Sequence, residues 1–413
     1  MRNRQVTLYR AGALRDAPAD GIVKEMRPGA LAVSDGRILM AGAERSLRQG
    51  LSGFDVNEVD LGNNLVMPAM VNAHAHLNLT SIGFRPYRGD FIEWIMMVTI
   101  EVAAQDDAAI TEAVTHGANL SKSAGVAWIG DIARTPLAID VRCATGLGGT
   151  SFLELFGMVD PDDSFQRTLE SASHIDSSFG LQPHAPYSAA RLLYERAAST
   201  GKPLSTHLAE TTAEIEFVRD ANGPFVDLLR SFDKWDGSFE ATELHPIDYL
   251  PLDKGQSWVI AHCNYINDEH IQLFAESRNV SIAYCPVASD YFQHTGHRYH
   301  DLLDAGANVC LGTDSIICQS AAEAQPLGIL PQMRHLYRRD RTDPELLLRM
   351  ATANGHRALN TGANGSLQSG QPAELIAVEF DPSDKTDPLI QILENDSPVK
   401  PVCGTILDEQ ATD

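Results

Sequence analysis

The segment Asn72-Ala73-His74-Ala75-His76 closes an apolar run that begins at Leu65. On an extended strand, side chains two residues apart share a face, so His74 and His76 project together. Two imidazoles on one face make half of a site for zinc or iron. A pair of core or surface histidines is the competing explanation when the motif is taken alone. Three later apolar runs end in the same manner: Leu204-Ser205-Thr206-His207, Ile260-Ala261-His262-Cys263 and Leu311-Gly312-Thr313-Asp314. Histidine or aspartate buried at a strand end is costly unless paired or ligated. One such ending fits an ordinary core residue. Four of them point to a shared metal site, and so to a hydrolase.

Other residues fall beside this set. Glu210 follows His207 by three positions, where it can move a proton between an activated water and a leaving group. Its alternative role is a carboxylate near a helix N-terminus. The segment Gln182-Pro183-His184-Ala185-Pro186-Tyr187-Ser188 ends another run. His184 and Tyr187 are candidate substrate contacts, with structural hydrogen bonding as the alternative, and Ser188 suits a helix N-cap. Residues 77–106 form a long connection that includes Phe91, Trp94 and Ile95. Their helical spacing argues for core packing, whereas Trp94 is also able to stack on a planar ring. His294 and His297 follow the seventh run and are placed to line the mouth of a site.

These endings need a scaffold that brings them to one rim. Short apolar runs occupy residues 65–72, 126–130, 151–156, 179–182, 203–206, 258–261, 280–284 and 308–312. Amphipathic helical patterns lie between most of them, most clearly at 108–123, 189–199, 268–278 and 321–337. Alternation of this kind predicts a parallel (β/α)8 TIM barrel, an α/β fold whose active site sits at the C-terminal end of the strands. Residues 344–359 read as a closing helix. Before the barrel, 5–9, 30–33 and 38–40 read as short strands around the turn Ser34-Asp35-Gly36, and 373–380 returns to strand texture. Residues 1–66 and 362–413 are therefore expected to form a small β-sandwich domain from both chain ends, flanking a catalytic barrel at 67–361.

The composition narrows the partners. A formal net charge of −23 over 413 residues argues against nucleic acid and anionic membrane as the main partner and says little about the substrate; the hydrolase reading is what makes a small-molecule substrate the expectation. Six cysteines without a CxxC pair, mostly in apolar runs, read as reduced thiols. No apolar run approaches the length of a membrane span and no signal-peptide core is visible, so a cytoplasmic protein is expected.

The residues 67–77 around His74 and His76 resemble the first-strand signature of the amidohydrolase superfamily. Ser205-Thr206-His207-Leu208-Ala209-Glu210, Ala261-His262-Cys263 and Gly312-Thr313-Asp314-Ser315 resemble its later motifs, in order, and Gly365-Ser366-Leu367 with Ala373-Glu374 resembles its returning strand. Binuclear members place a carboxylated lysine at the end of strand four, where this chain has Pro183-His184. The resemblance thus implies one divalent ion, Zn2+ with Fe2+ as the alternative, held by His74, His76, His207 and Asp314. It further implies a homo-oligomer and the mononuclear aminohydrolase branch. Softer motifs around His184, Phe91–Ile95 and Cys285 are similar to those of aminodeoxyfutalosine and S-adenosylhomocysteine/methylthioadenosine deaminases. The implied catalytic residues are Glu210 as proton shuttle, His262 as the residue that orients water, and Asp314 as ligand and proton acceptor. The implied reaction is deamination of an aminopurine-type nucleoside or base. Hydrolysis of another C–N or C–Cl bond (formimino, amidine or chlorotriazine) is the alternative, as is a catalytically silent binding protein.

Overall fold

The computed structural model describes residues 5–18, 24–252 and 255–405. Eight parallel strands run in chain order around one sheet: Met70–Ala75, Val126–Ala133, Gly148–Leu155, Gly180–Pro183, Leu204–Leu208, Trp258–His262, Val280–Tyr284 and Asn308–Leu311. Helices connect them, as the alternating texture predicts, and the sheet is a (β/α)8 barrel. The first and last strands are joined at their C-terminal ends. The amides of Thr313 and Asp314 both donate to the His74 carbonyl, at 3.0 and 3.1 Å, and the His76 amide donates to the Asp314 carbonyl at 3.1 Å. Closure thus runs through the backbone that carries His74, His76 and Asp314.

That closure needs a glycine. A Cβ on Gly312 would lie 2.9 Å from the His74 carbonyl oxygen, 3.0 Å from the His74 Cβ and 2.8 Å from the Cys285 sulfur. Gly312→Ala must push strand eight away from strand one or displace His74. It is expected to cost about 1–3 kcal/mol, the usual range for overpacking, and to weaken metal retention as well. Urea unfolding and metal content measured on the same preparation check both halves of that expectation.

Two further sheets are built from the chain ends. One has the order Arg37–Gly42, Gly29–Ser34, Gln5–Ala11, Asp55–Asp60; the other has Val399–Cys403, Leu375–Glu379, Asn64–Pro68, Ala13–Asp16, Lys24–Met26. Leu31, Val33 and Ile38 from the first share one apolar cluster with Leu14, Val66 and Leu375 from the second. The chain divides into two compact units. One comprises residues 1–72, 119–128 and 322–413, and the other 73–118 and 129–321.

Three elements differ from their sequence expectation. The run 65–72 is two strands. Asn64–Pro68 pairs with Leu375–Glu379, and the barrel strand begins at Met70. Both strands are buried on both faces, so no alternation marks the break. The pattern at 321–337 becomes a helix only at Ile329–Asp340, because Pro326 and Gly328 disfavour helix before it. The pattern at 344–359 is two helices, Pro344–Ala351 and Ala353–Ala358, separated at Thr352 with φ −127° and ψ −88°. Among the described residues no helix is long and apolar enough to cross a membrane, and all six cysteines are free.

His356, in the second of those short helices, is only 2% exposed. Its Nδ1 lies 2.7 Å from the Thr361 hydroxyl, and burial pushes its pKa down to about 4. The folded state therefore holds it neutral, while the unfolded chain protonates it near pH 6.5. Its contribution is complete above about pH 6.5 and is lost as pH falls toward 4. Stability should drop by up to about 1.4 kcal/mol per pH unit from this group alone. Urea midpoints at pH 7, 6 and 5 should show a shallower decline in His356→Gln.

Candidate active site

Each predicted donor sits where its strand ends. His74 is fully buried in strand one; His76 follows it, and His207 lies in strand five. The Nε2 atoms of His76 and His207 face each other at 3.2 Å. Asp314 Oδ1 is 3.4 Å from His76 Nε2 and 3.7 Å from His74 Nε2. His74, His76 and Asp314 form one group able to hold a metal ion, and His74, His207 and His262 form a second that overlaps it. Ligands about 2.1 Å from a tetrahedral ion stand about 3.4 Å apart, close to the separations among these donors.

The protonation states suit ligation. Burial pushes His76 down to about 4 and His207 well below the usual imidazole value, so both are neutral with lone pairs to offer. Burial opposes ionisation of Asp314, but His74, His76 and His262 outweigh it and hold the carboxyl below its ordinary value. Outer contacts fix orientation. The Nδ1 of His207 lies 3.0 Å from the His184 carbonyl and 3.2 Å from Gln182 Nε2. The carbonyl sets this nitrogen as the N–H donor and leaves Nε2 free to ligate. The Cys318 thiol donates to Asp314 Oδ2 at 3.5 Å.

Glu210 and His262 lie against this donor set. His262 Nε2 is 3.6 Å from Glu210 Oε1. Glu210 is buried; desolvation first, then the charges of Asp314 and Glu214, raise its pKa well above the usual carboxylate range. The charge of a bound cation opposes this shift. Burial also pushes His262 down to about 3. The loops that carry the pair are tied together. The Cys263 amide donates to the Leu208 carbonyl at 3.0 Å and Asn264 Nδ2 to the Glu210 carbonyl at 3.1 Å. Ala209, His262, Cys263 and Asp314 all adopt left-handed backbone, with φ of 49°, 71°, 54° and 58°. Such residues cost on the order of 1–3 kcal/mol each and concentrate at functional sites.

Three acids, two of them buried and Glu154 partly so, escaped the sequence reading. Glu214 accepts the amides of Ala209 and Glu210 at 2.8 and 2.9 Å, and so clamps the main chain that presents the Glu210 side chain. Asp131 accepts the Leu77 amide at 3.2 Å, immediately after His76, and the Ser151 hydroxyl at 3.2 Å. Glu154 lies 3.9 Å from His184 Nε2 and 3.7 Å from Arg134. Asp131 and Glu154 interrupt apolar runs, a signal visible in the sequence. Glu214 is four residues past Glu210 and looks like an ordinary first-turn acid.

The expected substrate contacts diverge. His184 is partly exposed, and its Nδ1 lies 2.6 Å from the Ser188 hydroxyl. Ser188 therefore holds His184 rather than capping a helix; the following helix, Arg191–Ser199, starts after Ala190 without a side-chain cap. Tyr187 is buried and stacks on Phe225 at 3.8 Å. Trp94 packs on Phe91 and Phe292, and its indole N–H donates to the Tyr291 hydroxyl at 3.1 Å. A cavity of 630 Å³ is lined by residues that include Tyr87, Phe91, Thr211, Tyr265, Phe292 and His294, with neither Trp94 nor Tyr187 among them. His294 lines this cavity, whereas His297 lies 2.8 Å from the His262 carbonyl and stacks on Tyr284.

A closed parallel barrel with a histidine/aspartate donor set and a buried glutamate at its C-terminal rim defines a metal-site barrel hydrolase. The chain belongs to the amidohydrolase family, whose profile matches residues 65–407. Among its relatives, a 5-methylthioadenosine/S-adenosylhomocysteine deaminase of Halalkalibacterium halodurans is 23% identical over 78% of this chain and 74% of its own length. An aminodeoxyfutalosine deaminase of Deinococcus radiodurans is 25% identical over 83% and 84% respectively. The fold is shared with Helicobacter pylori aminofutalosine deaminase in complex with methylthio-coformycin. That structure has a TM-score of 0.79 and 19% identity, covering 96% of this chain and 100% of the other. A Xanthomonas campestris adenosine deaminase with bound zinc aligns with a TM-score of 0.73 and 21% identity, covering 97% and 93%.

Proposed function

We propose that this protein is a hydrolytic deaminase that replaces an exocyclic amine of an aminopurine nucleoside or base with oxygen and releases ammonia. The observation that carries this reading is the buried Glu210 carboxyl 3.6 Å from His262 Nε2, beside a His/Asp donor set. The deaminase names of the relatives support the same chemistry. His74, His76, His207 and Asp314 would hold one divalent ion. Zinc is the ion we propose, since imidazole and carboxylate donors suit it and the Xanthomonas neighbour is described with zinc.

The ion, when bound, lowers the pKa of water so that a nucleophile is available near neutral pH. Asp314 accepts a proton from the attacking water. His262 hydrogen-bonds the water oxygen and aims it at the ring carbon that bears the amine. Glu210 gives a proton to the adjacent ring nitrogen, which makes that carbon electrophilic, and recovers one from the newly added hydroxyl as the C–N bond breaks, while the proton accepted by Asp314 passes to the departing amine. One water is consumed and one ammonia leaves. A glutamate that is not a metal ligand does the same acid/base work in the unrelated zinc deaminases of nucleic acid bases.

An ammonia-release screen tests the reading over adenosine, methylthioadenosine, S-adenosylhomocysteine, aminodeoxyfutalosine, guanine and cytosine. Turnover of at least one aminopurine by the zinc-loaded protein is the expected result. Release from none of them, with metal bound, would overturn it.

A further inference from the structure

The chain leaves strand one at His76, which carries one of the proposed donors. Its backbone is held from two other strands. On one side its own amide donates to the Asp314 carbonyl at 3.1 Å. On the other, the next amide, that of Leu77, donates to Asp131 Oδ1 at 3.2 Å. Leu77 opens a short 3-10 helix, Leu77–Ile82. The N-cap of that helix is His76 itself, with φ −115° and ψ 87° and no side-chain cap bond. The first amides of a helix have no acceptor within it, and Leu77 is fully buried, away from bulk water. Asp131, reaching across from strand two, supplies the missing acceptor.

Asp131 is in turn fixed by two further elements. It is fully buried, and its Oδ2 accepts the Ser151 hydroxyl at 3.2 Å. Ser151 Oγ accepts from Arg142 Nε at 2.6 Å. Arg142 is buried as well and also donates to the Leu147 carbonyl at 2.6 Å. Ser151 lies in strand three, and Arg142 in the preceding helix, Pro136–Ala144. A buried carboxylate and guanidinium add little stability over apolar side chains of the same volume. What they add here is direction. The carboxylate has one place to sit, and the charge-assisted bond to the Leu77 amide ties the exit of strand one to that place.

We infer that Asp131 is a positioning residue for the metal site, which fixes the main chain after His76 and thereby the direction in which His76 presents Nε2. The inference rests on the reading of His74, His76, His207 and Asp314 as the donors. Asp131 holds the His76 backbone from strand two, as Asp314 holds it from strand eight. Without Asp131, ψ of His76 is free to change, and the ring can turn away from His207 and Asp314, which now stand 3.2 and 3.4 Å from its Nε2.

The test uses the full chain loaded with zinc or with cobalt. Asp131→Asn keeps the shape of the side chain but exchanges a charged acceptor for a neutral one. With one oxygen in place of two, it cannot accept from Leu77 and Ser151 in their present places. It is expected to lower zinc affinity about tenfold in competition with a chelator, and Asp131→Ala to lower it up to about a hundredfold, the range found when outer partners of metal ligands are removed. The absorption bands of the cobalt form report ligand geometry and should shift in both variants. Leu8→Ala, a truncation in the apolar cluster of the four-stranded sheet, is the control. It should lose stability in urea and keep wild-type affinity and bands. Wild-type affinity and bands in Asp131→Asn would overturn the inference, and that variant decides alone if Asp131→Ala does not fold. An equal fall in Leu8→Ala would overturn it too, by making lost stability the cause. A wild-type chain that binds neither ion overturns the donor reading and the inference with it. A wild type that binds one ion beside an unaffected Asp131→Asn sinks the inference alone.

Discussion

Glu210→Gln is expected to retain one metal ion per chain and to lose about 10²–10⁴ in kcat, the usual contribution of a positioned acid/base. In free energy that is about 3–5 kcal/mol of transition-state stabilisation. Glutamine keeps the shape of the side chain. The clamp that presents it is untouched, because Glu214 holds the main-chain amides of Ala209 and Glu210 rather than the Glu210 side chain. The Asn264 bond likewise goes to the Glu210 carbonyl. What disappears is a proton that can be given and taken back. Glu210 is not among the groups able to hold an ion, so metal content should stay at the wild-type level. Single-turnover rates measured beside metal analysis separate the two effects. Undiminished kcat in a fully loaded variant would remove Glu210 from the mechanism.

The second large effect is expected at Asp314. Asp314→Asn should lose its metal and its turnover together. The carboxylate is the one anion of the proposed donor set. Its Oδ1 lies 3.4 and 3.7 Å from His76 and His74 Nε2, and its Oδ2 accepts the Cys318 thiol. With asparagine the ligands are all neutral. Loss of an outer partner already weakens metal binding about 10–100-fold, and loss of the anionic ligand should exceed that. Asparagine is chosen for the backbone. Asp314 has φ 58°, a left-handed conformation that asparagine tolerates better than alanine. The fold should survive, and urea unfolding of the metal-free proteins would show it. Competition against a chelator then measures affinity directly. Wild-type affinity and turnover in Asp314→Asn would mean that the ion is held elsewhere.

Much of this was legible in the residues. His74, His76, His207, His262 and Asp314 each end an apolar run, and polar groups in such places are buried only where something pays their desolvation. Alternating texture placed those endings on one barrel rim. The elements that misled were those in which burial is two-sided or a local signal had two uses. The run 65–72 hid a change of sheet, since neither of its strands has a solvent face to alternate against. Ser188 has a capping side chain, yet it bonds to His184. Trp94 has a ring fit for stacking on a substrate, yet its N–H is taken by Tyr291.

The sequence by itself determined which groups were available for chemistry, and through strand periodicity the ends of the strands on which they sit. Only the tertiary structure decided how close His74 and His76 come to the other candidate donors. Their 3.4 and 3.7 Å separations from Asp314 come from closing strand one against strand eight over Gly312. The raised Glu210 carboxyl, the Glu214 clamp and the Asp131 bond to the Leu77 amide likewise exist only once distant segments meet. Distances and desolvation are properties of packing between segments far apart in the chain, and local sequence pattern carries neither.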